Sequence, residues 1–239
     1  METNPVEQSK HENIDPKAGP RCPFAHLMTP PKSSLADTLK DRTKEAHARA
    51  EKHPIQGRMV TGKCTRAEYA GWLGQMLPVW SAVDAGLAAL ANRDPRAASM
   101  LKPYHVHAAR IEADLAFLGD SGAAHAALPA TMRFVQMVNQ AAASPAVIGV
   151  WYVLEGSANG GRYIAKALSR GLEIAGPEGL TSFDPHGERQ REFWQAWRSD
   201  VDAQDFSEPE RTAIVAAADA TFDAVYDMME DLTPATQTS

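Results

Sequence analysis

After Ser34, no stretch of this chain alternates apolar and polar side chains long enough to make a strand, and apolar residues recur instead at helical spacing. That leaves an all-α domain closed by helix-on-helix packing. Local punctuation places the helices. One opens near Leu35 and ends at His53-Pro54, because the residue before a proline is pushed out of helical geometry. Thr65 and Glu68 have capping-box spacing and start a second helix to about Leu90, with a kink expected at Pro78. Pro103 and Pro129 suit the first turns of two more, reaching about Leu118, where Gly119 can stop the chain, and about Ala143. A long segment runs from Ser144-Pro145 to about Leu172, and a further helix carries Phe193, Trp194 and Trp197. Ser207, Pro209 and Glu210 open the last, which ends near Leu232. The total is roughly seven helices.

The 239 residues provide one domain of ordinary size plus some excess. The excess falls at the ends. Residues 1–33 are rich in Pro, Lys, Glu and Asn without a period, and read as a disordered or loosely attached arm. Residues 34–232 form the helical domain and 233–239 a flexible tail. The formal net charge of -6 gives no basic footprint for nucleic acid. The N-terminus lacks the basic start and apolar run of a signal peptide, and the longest apolar runs, such as Ala146–Leu154, are short for a bilayer. Cys22 and Cys64 make no disulfide framework. A cytoplasmic protein without membrane or nucleic-acid partners is expected.

Two segments carry chemistry. In Thr43-Lys44-Glu45-Ala46-His47-Ala48-Arg49-Ala50-Glu51, His47 and Glu51 are four apart and share a helix face. A carboxylate there can accept one ring N–H and leave the other nitrogen for a metal. Lys40, two turns earlier on roughly the same side, can meet a ligand carboxylate. Taken alone, the pair is more often a solvated surface contact. The second segment, Gly149 to Ile164, holds Gly149, Gly156, Gly160 and Gly161, at about 1 kcal/mol each relative to alanine in a helix interior. Such a cost points to a backbone that bends, admits something flat, or crosses another helix closely. No strand precedes the glycines, so they are not a dinucleotide fingerprint.

Together these segments carry a resemblance. Thr43 to Glu51 resembles the proximal-helix motif of heme oxygenases, including the lysine seven residues before the histidine. Tyr152-Val153-Leu154-Glu155-Gly156-Ser157 followed by Gly160-Gly161 resembles the distal helix of the bacterial biliverdin-producing, phytochrome-associated branch. Phe193 to Arg198 resembles the family's C-terminal part. The resemblance implies a single heme oxygenase-like helical domain that cleaves heme, at once substrate and cofactor, to biliverdin, carbon monoxide and ferrous iron. Molecular oxygen and a reductase or ferredoxin are the implied co-reactants, and a bacterial phytochrome is a possible acceptor of the pigment. Residue by residue, it implies His47 as iron ligand with Glu51 supporting it. Lys40 and Arg198 would face the propionates with Tyr152 or Trp151 nearby, and Gly156, Ser157, Gly160 and Gly161 would form the distal side.

The chain departs from the family at Ser157, where many members carry an aspartate that orders the water used in proton delivery; a hydroxyl can hold a water but brings no charge. Glu155 points elsewhere on an ideal helix and does not replace it. That departure, with a Cys22-Pro23-Phe24-Ala25-His26 segment resembling a heme-regulatory motif, motivates the alternative of a heme-binding sensor or carrier without turnover. A di-iron oxygenase or thiamin-type hydrolase of the same superfamily is a third reading, but only His47 and Glu51 are well placed for it. His105 and His107, two apart, are not expected to share a metal, and His53, His125 and His186 are expected to face solvent. Trp72, Leu73, Met76, Leu77 and Trp80 read as core, Trp194 and Trp197 as packed against the bundle, and Cys64 as a small packing residue.

Overall fold

The structure, a computed structural model, describes Met1 and residues 33–233. The Cys22-Pro23 motif and residues 234–239 of the expected tail lie outside the described residues. The chain divides into two units, Met1–Ser33 and Ser34–Ser239; the second holds all the regular structure among the described residues. It comprises nine α-helices, α1 (Leu35–Glu51), α2 (Pro54–Val60), α3 (Arg66–Ala91), α4 (Pro95–Met100), α5 (Ala108–Phe117), α6 (Pro129–Ala141), α7 (Val147–Gly171), α8 (Gln190–Asp202) and α9 (Glu208–Leu232). No strand occurs among the described residues.

Most helix starts follow the local signals. Both capping boxes form, with Thr65 and Glu68 exchanging hydrogen bonds ahead of α3 and Ser207 and Glu210 doing so ahead of α9. Gly119, at φ +73°, takes the left-handed conformation that ends α5. Two helices were not anticipated. His53-Pro54 ends one helix but also begins the next: the His53 Nδ1 accepts from the Ile55 N–H at 3.2 Å, and Pro54 fills the first turn of α2. Asp94-Pro95 repeats the pattern for α4. Pro103 opens only a 3₁₀ turn, Pro103–His105, and α5 starts at Ala108. Helix α3 continues through Pro78.

The core lies where α7 packs on α9, α9 on α1, and α3 on α5 and α6, with Trp151, Trp197, Tyr69, Phe134 and Phe206 fully buried. Helix α3 is long and apolar enough, by length and composition, to cross a membrane; 56% of its most apolar window is buried inside the bundle, as a central core helix requires. Gly149 permits the α7–α9 crossing, since a methyl group there would overlap the Ile214 carbonyl oxygen. The start of α1 is tied to the end of α8: Asp202 accepts from the Ser34 hydroxyl at 2.8 Å and from the Ala36 N–H at 2.9 Å. From that anchor α1 buries Leu35, Ala36, Leu39 and Thr43, and the same face one turn later carries His47 toward α9.

Candidate functional site

A cavity of about 460 Å³ opens between α1, α3, α7, α8 and α9. His47, Ala50 and Glu51 form one wall, and Tyr152, Gly156, Ser157, Asn159 and Gly160 of α7 contribute another. Trp72 and Met76 of α3, Trp194 of α8, Phe183 and the α9 residues Phe222, Val225 and Met229 supply the apolar remainder.

The imidazole of His47 stands edge-on to Phe222, with centroids 5.5 Å apart. Its Nδ1 is 3.7 Å from Glu51 Oε2, too long for a hydrogen bond but close enough to favour a proton on that nitrogen. Nε2 is then the nitrogen available to a metal. The His47 side chain is 55% exposed, so it is free to take a ligand without unpacking anything. Facing it, α7 presents bare backbone. A methyl group at Gly160 would have nothing within 4 Å, whereas one at Gly156 would come 3.0 Å from the Trp194 ring. Trp194 stacks on Trp197 at 5.3 Å with planes 8° apart, and Tyr152 leans on both. Burial raises the Tyr152 phenol above its ordinary value, so it remains a neutral hydroxyl at neutral pH.

The polar groups on this wall are few. Ser157 donates its hydroxyl to the Leu154 carbonyl at 2.7 Å, which leaves its oxygen as an acceptor for water. Asn159 donates to the Gly156 carbonyl at 2.9 Å and accepts from Gln190 Nε2 at 3.4 Å. Gln190 is buried, and its Oε1 has no hydrogen-bond partner.

Six of the nine expected site residues therefore share one cavity: His47, Glu51, Tyr152, Gly156, Ser157 and Gly160. Three stand apart. Gly161 is turned away, and a methyl group there would overlap the Phe183 carbonyl oxygen, so this glycine permits a close backbone approach instead of lining the opening. Lys40 is exposed on α1 outside the wall. Arg198 donates to Asp37 at 2.6 Å, also outside the wall. Trp72 and Met76 are core residues as expected but also line the cavity, and Trp194 is a wall residue while Trp197 is 1% exposed. Phe222, Val225 and Met229 were missed; their spacing along one face of α9 was the available signal.

The expectation that His53, His125 and His186 face solvent needs correction. The side chains of His53 and His186 are each 1% exposed, because each has a carboxylate partner: His53 Nε2 meets Glu230 at 3.0 Å and His186 Nε2 meets Glu155 at 2.7 Å. His125 is partly covered and bonds Asp120 at 3.0 Å. His105 and His107, two apart, are both buried, because they lie in a turn and not along one helix. His107 Nε2 also reaches Glu155, at 2.8 Å.

Several solved structures of this shape carry heme oxygenase names. The heme oxygenase of Leptospira interrogans superposes with a TM-score of 0.75 at 22% identity, covering 82% of this chain and 98% of that one. Heme oxygenase-1 of the cyanobacterium Synechocystis, solved in complex with heme, gives 0.74 at 21% identity, with coverages of 83% and 92%. Among curated proteins, the heme oxygenase of Takifugu rubripes is 23% identical over 205 residues, spanning 83% of this chain and 74% of its own length. The fold is thus the all-α heme oxygenase fold. The sequence profile of the heme oxygenase family matches residues 33–231, and the chain belongs to that family.

Proposed function

We propose that this protein binds heme in the cavity, where His47 Nε2 would hold the iron, and degrades it to biliverdin, carbon monoxide and ferrous iron, using molecular oxygen and electrons from a reductase or ferredoxin. The observation carrying the reading is the placement of an accessible imidazole across one cavity from a glycine backbone. A flat, largely apolar macrocycle with a central metal fits such walls: Trp72, Met76, Phe183, Phe222 and Met229 shed water, while Gly160 has open space in front of it. Bound there, heme would supply both the oxygen-activating iron and the ring that is opened.

The chain's own residues have separable tasks. His47 ligates, and Glu51 biases its tautomer and so its ring orientation. The bare backbone at Gly160 would let the macrocycle come close, while that at Gly156 makes room for the Trp194 ring that walls the same side. Ser157 and Asn159 hold water on that side; neither is charged, so they can order a proton donor but cannot replace it. Lys40 and Arg198 lie on the helices flanking the opening and would meet the propionates. Arg198 would then exchange Asp37 for a ligand carboxylate, and a partly exposed pair of this kind is worth at most about 1 kcal/mol. A bacterial phytochrome that accepts the pigment fits the Glu155-Gly156-Ser157 type of distal helix.

A second reading is a heme carrier or sensor without turnover, favoured by Ser157, whose hydroxyl is already engaged with Leu154. One experiment separates the two: hemin is titrated into the wild type and His47→Ala, then reductant is added in air. Biliverdin absorbance growing as the Soret band falls, in wild type alone, supports the enzyme. A stable Soret band in wild type supports the carrier, and no hemin uptake removes both.

A further inference from the structure

Directly before Gly156 on α7 stands a buried ionised group that the cavity does not use. We propose that Glu155 is a positioning residue for the glycine wall: its paired hydrogen bonds to His107 and His186 set where the Gly156–Gly160 backbone and Phe183 stand. The inference rests on, and deepens, the heme-degrading reading.

The carboxylate divides its oxygens, Oε2 meeting His107 Nε2 at 2.8 Å and Oε1 meeting His186 Nε2 at 2.7 Å. No side chain of the three is more than 3% exposed. Each histidine is fixed in turn. His107 precedes α5, stacks on Trp80 of α3 at 4.2 Å, and gives its backbone N–H to Asp84 at 3.1 Å. His186 lies in the segment leading to α8, edge-on to Tyr104 and Phe193. One carboxylate therefore joins α3, α5, α7 and the approach to α8.

Helix α7 needs such a tie because its glycines offer no side chains with which to set their own position. The same tie reaches Phe183. Asp114 of α5 accepts from the Thr181 N–H at 3.0 Å, the Thr181 hydroxyl at 2.8 Å and the Ser182 N–H at 2.7 Å. The segment 181–186 is thus held by Asp114 at one end and Glu155 at the other, with Phe183 between them, its ring on the cavity and its carbonyl against Gly161.

The proton positions follow from the neighbours. Arg110, a donor only, reaches His107 Nδ1 at 3.4 Å, so Nδ1 presents a lone pair and the ring proton sits on Nε2, donated to Glu155. Burial alone would raise the Glu155 carboxyl, but the two imidazole hydrogen bonds outweigh it and hold the group well below the usual carboxylate range. The three potential ligand atoms lie within 4.8 Å of one another, a spacing that could hold a cation. A protonated His107 Nε2 has no lone pair to give one, so the arrangement is a hydrogen-bonded clamp.

The test uses full-length wild type, Glu155→Gln and Glu155→Leu. Without hemin, amide exchange across Gly156–Gly161 should accelerate about tenfold or more in the leucine variant and less in the glutamine variant, with α6 unchanged. Loaded with hemin, Glu155→Gln should keep its hemin affinity to within about threefold, lose about tenfold in biliverdin turnover, and shift the pH midpoint of the ferric absorbance change. Should the leucine variant not fold, the glutamine comparison decides. Wild-type exchange and an unmoved midpoint in Glu155→Gln would overturn the clamp. So would stoichiometric Zn²⁺ or Fe²⁺ uptake by wild type that is lost in Glu155→Gln, since the group would then be a cation site. If wild type takes up no hemin, the functional reading falls while the exchange comparison still judges the clamp.

Discussion

Two histidine–carboxylate sites in this protein are built in opposite ways. His47 and Glu51 lie 3.7 Å apart with side chains 55% and 62% exposed, whereas Glu155 holds His107 and His186 at 2.8 and 2.7 Å in the interior. A buried charge must be fully paired, and pairing consumes the lone pairs and protons that would otherwise do chemistry. An exposed imidazole with a loose partner keeps one nitrogen in reserve. On the proposed reading, the tighter site holds structure and the looser one takes a ligand.

The largest expected effect breaks this contrast at its exposed end. His47→Ala should reduce biliverdin formation by about 100-fold or more while moving the urea midpoint of the ligand-free protein little, because the half-exposed ring gives up only its edge contact with Phe222. Absorbance assays and denaturation curves check both halves.

Next in size is the division among the glycines of α7. Gly161→Ala must push against the Phe183 backbone and should destabilise the protein by about 2–4 kcal/mol. Gly160→Ala has room and should stabilise the ligand-free helix by up to about 1 kcal/mol, while weakening hemin binding by narrowing the wall. Thermal melts and hemin titrations of the two variants sharpen which glycines serve packing and which serve a ligand.

The buried cluster also predicts a pH dependence. Burial pushes His105 down to about 4, so the unfolded chain takes up the proton first, and stability falls as pH drops from about 6.5 toward 4. Glu155, held below the ordinary carboxylate range, adds a second loss that begins as pH falls through about 4.3, where the unfolded carboxyl protonates. Urea midpoints measured against pH should flatten in the upper window for His105→Gln and in the lower one for Glu155→Gln. A profile without slope below pH 6.5 contradicts the assignment.

The smallest effect tests the loose partner. Glu51→Gln should slow turnover by no more than about threefold, since an exposed carboxylate at this distance biases the ring only weakly. A loss as large as that of His47→Ala would mean that the pair tightens when a ligand binds.

The sequence by itself determined the helical class, most helix starts and the His47–Glu51 pairing, because each depends on residues within about one helical turn of one another. Thr65 with Glu68 and Ser207 with Glu210 cap their helices whatever lies elsewhere. Which glycines face the cavity, and why the side chains of four histidines lie in the interior, only the tertiary structure decided. Gly160 and Gly161 are adjacent, yet one meets open space and the other the Phe183 carbonyl. His107, Glu155 and His186 come from separate segments, and no local spacing could announce their meeting. The short-range signals are written into neighbouring residues, but the burial of a charge depends on every segment that closes around it.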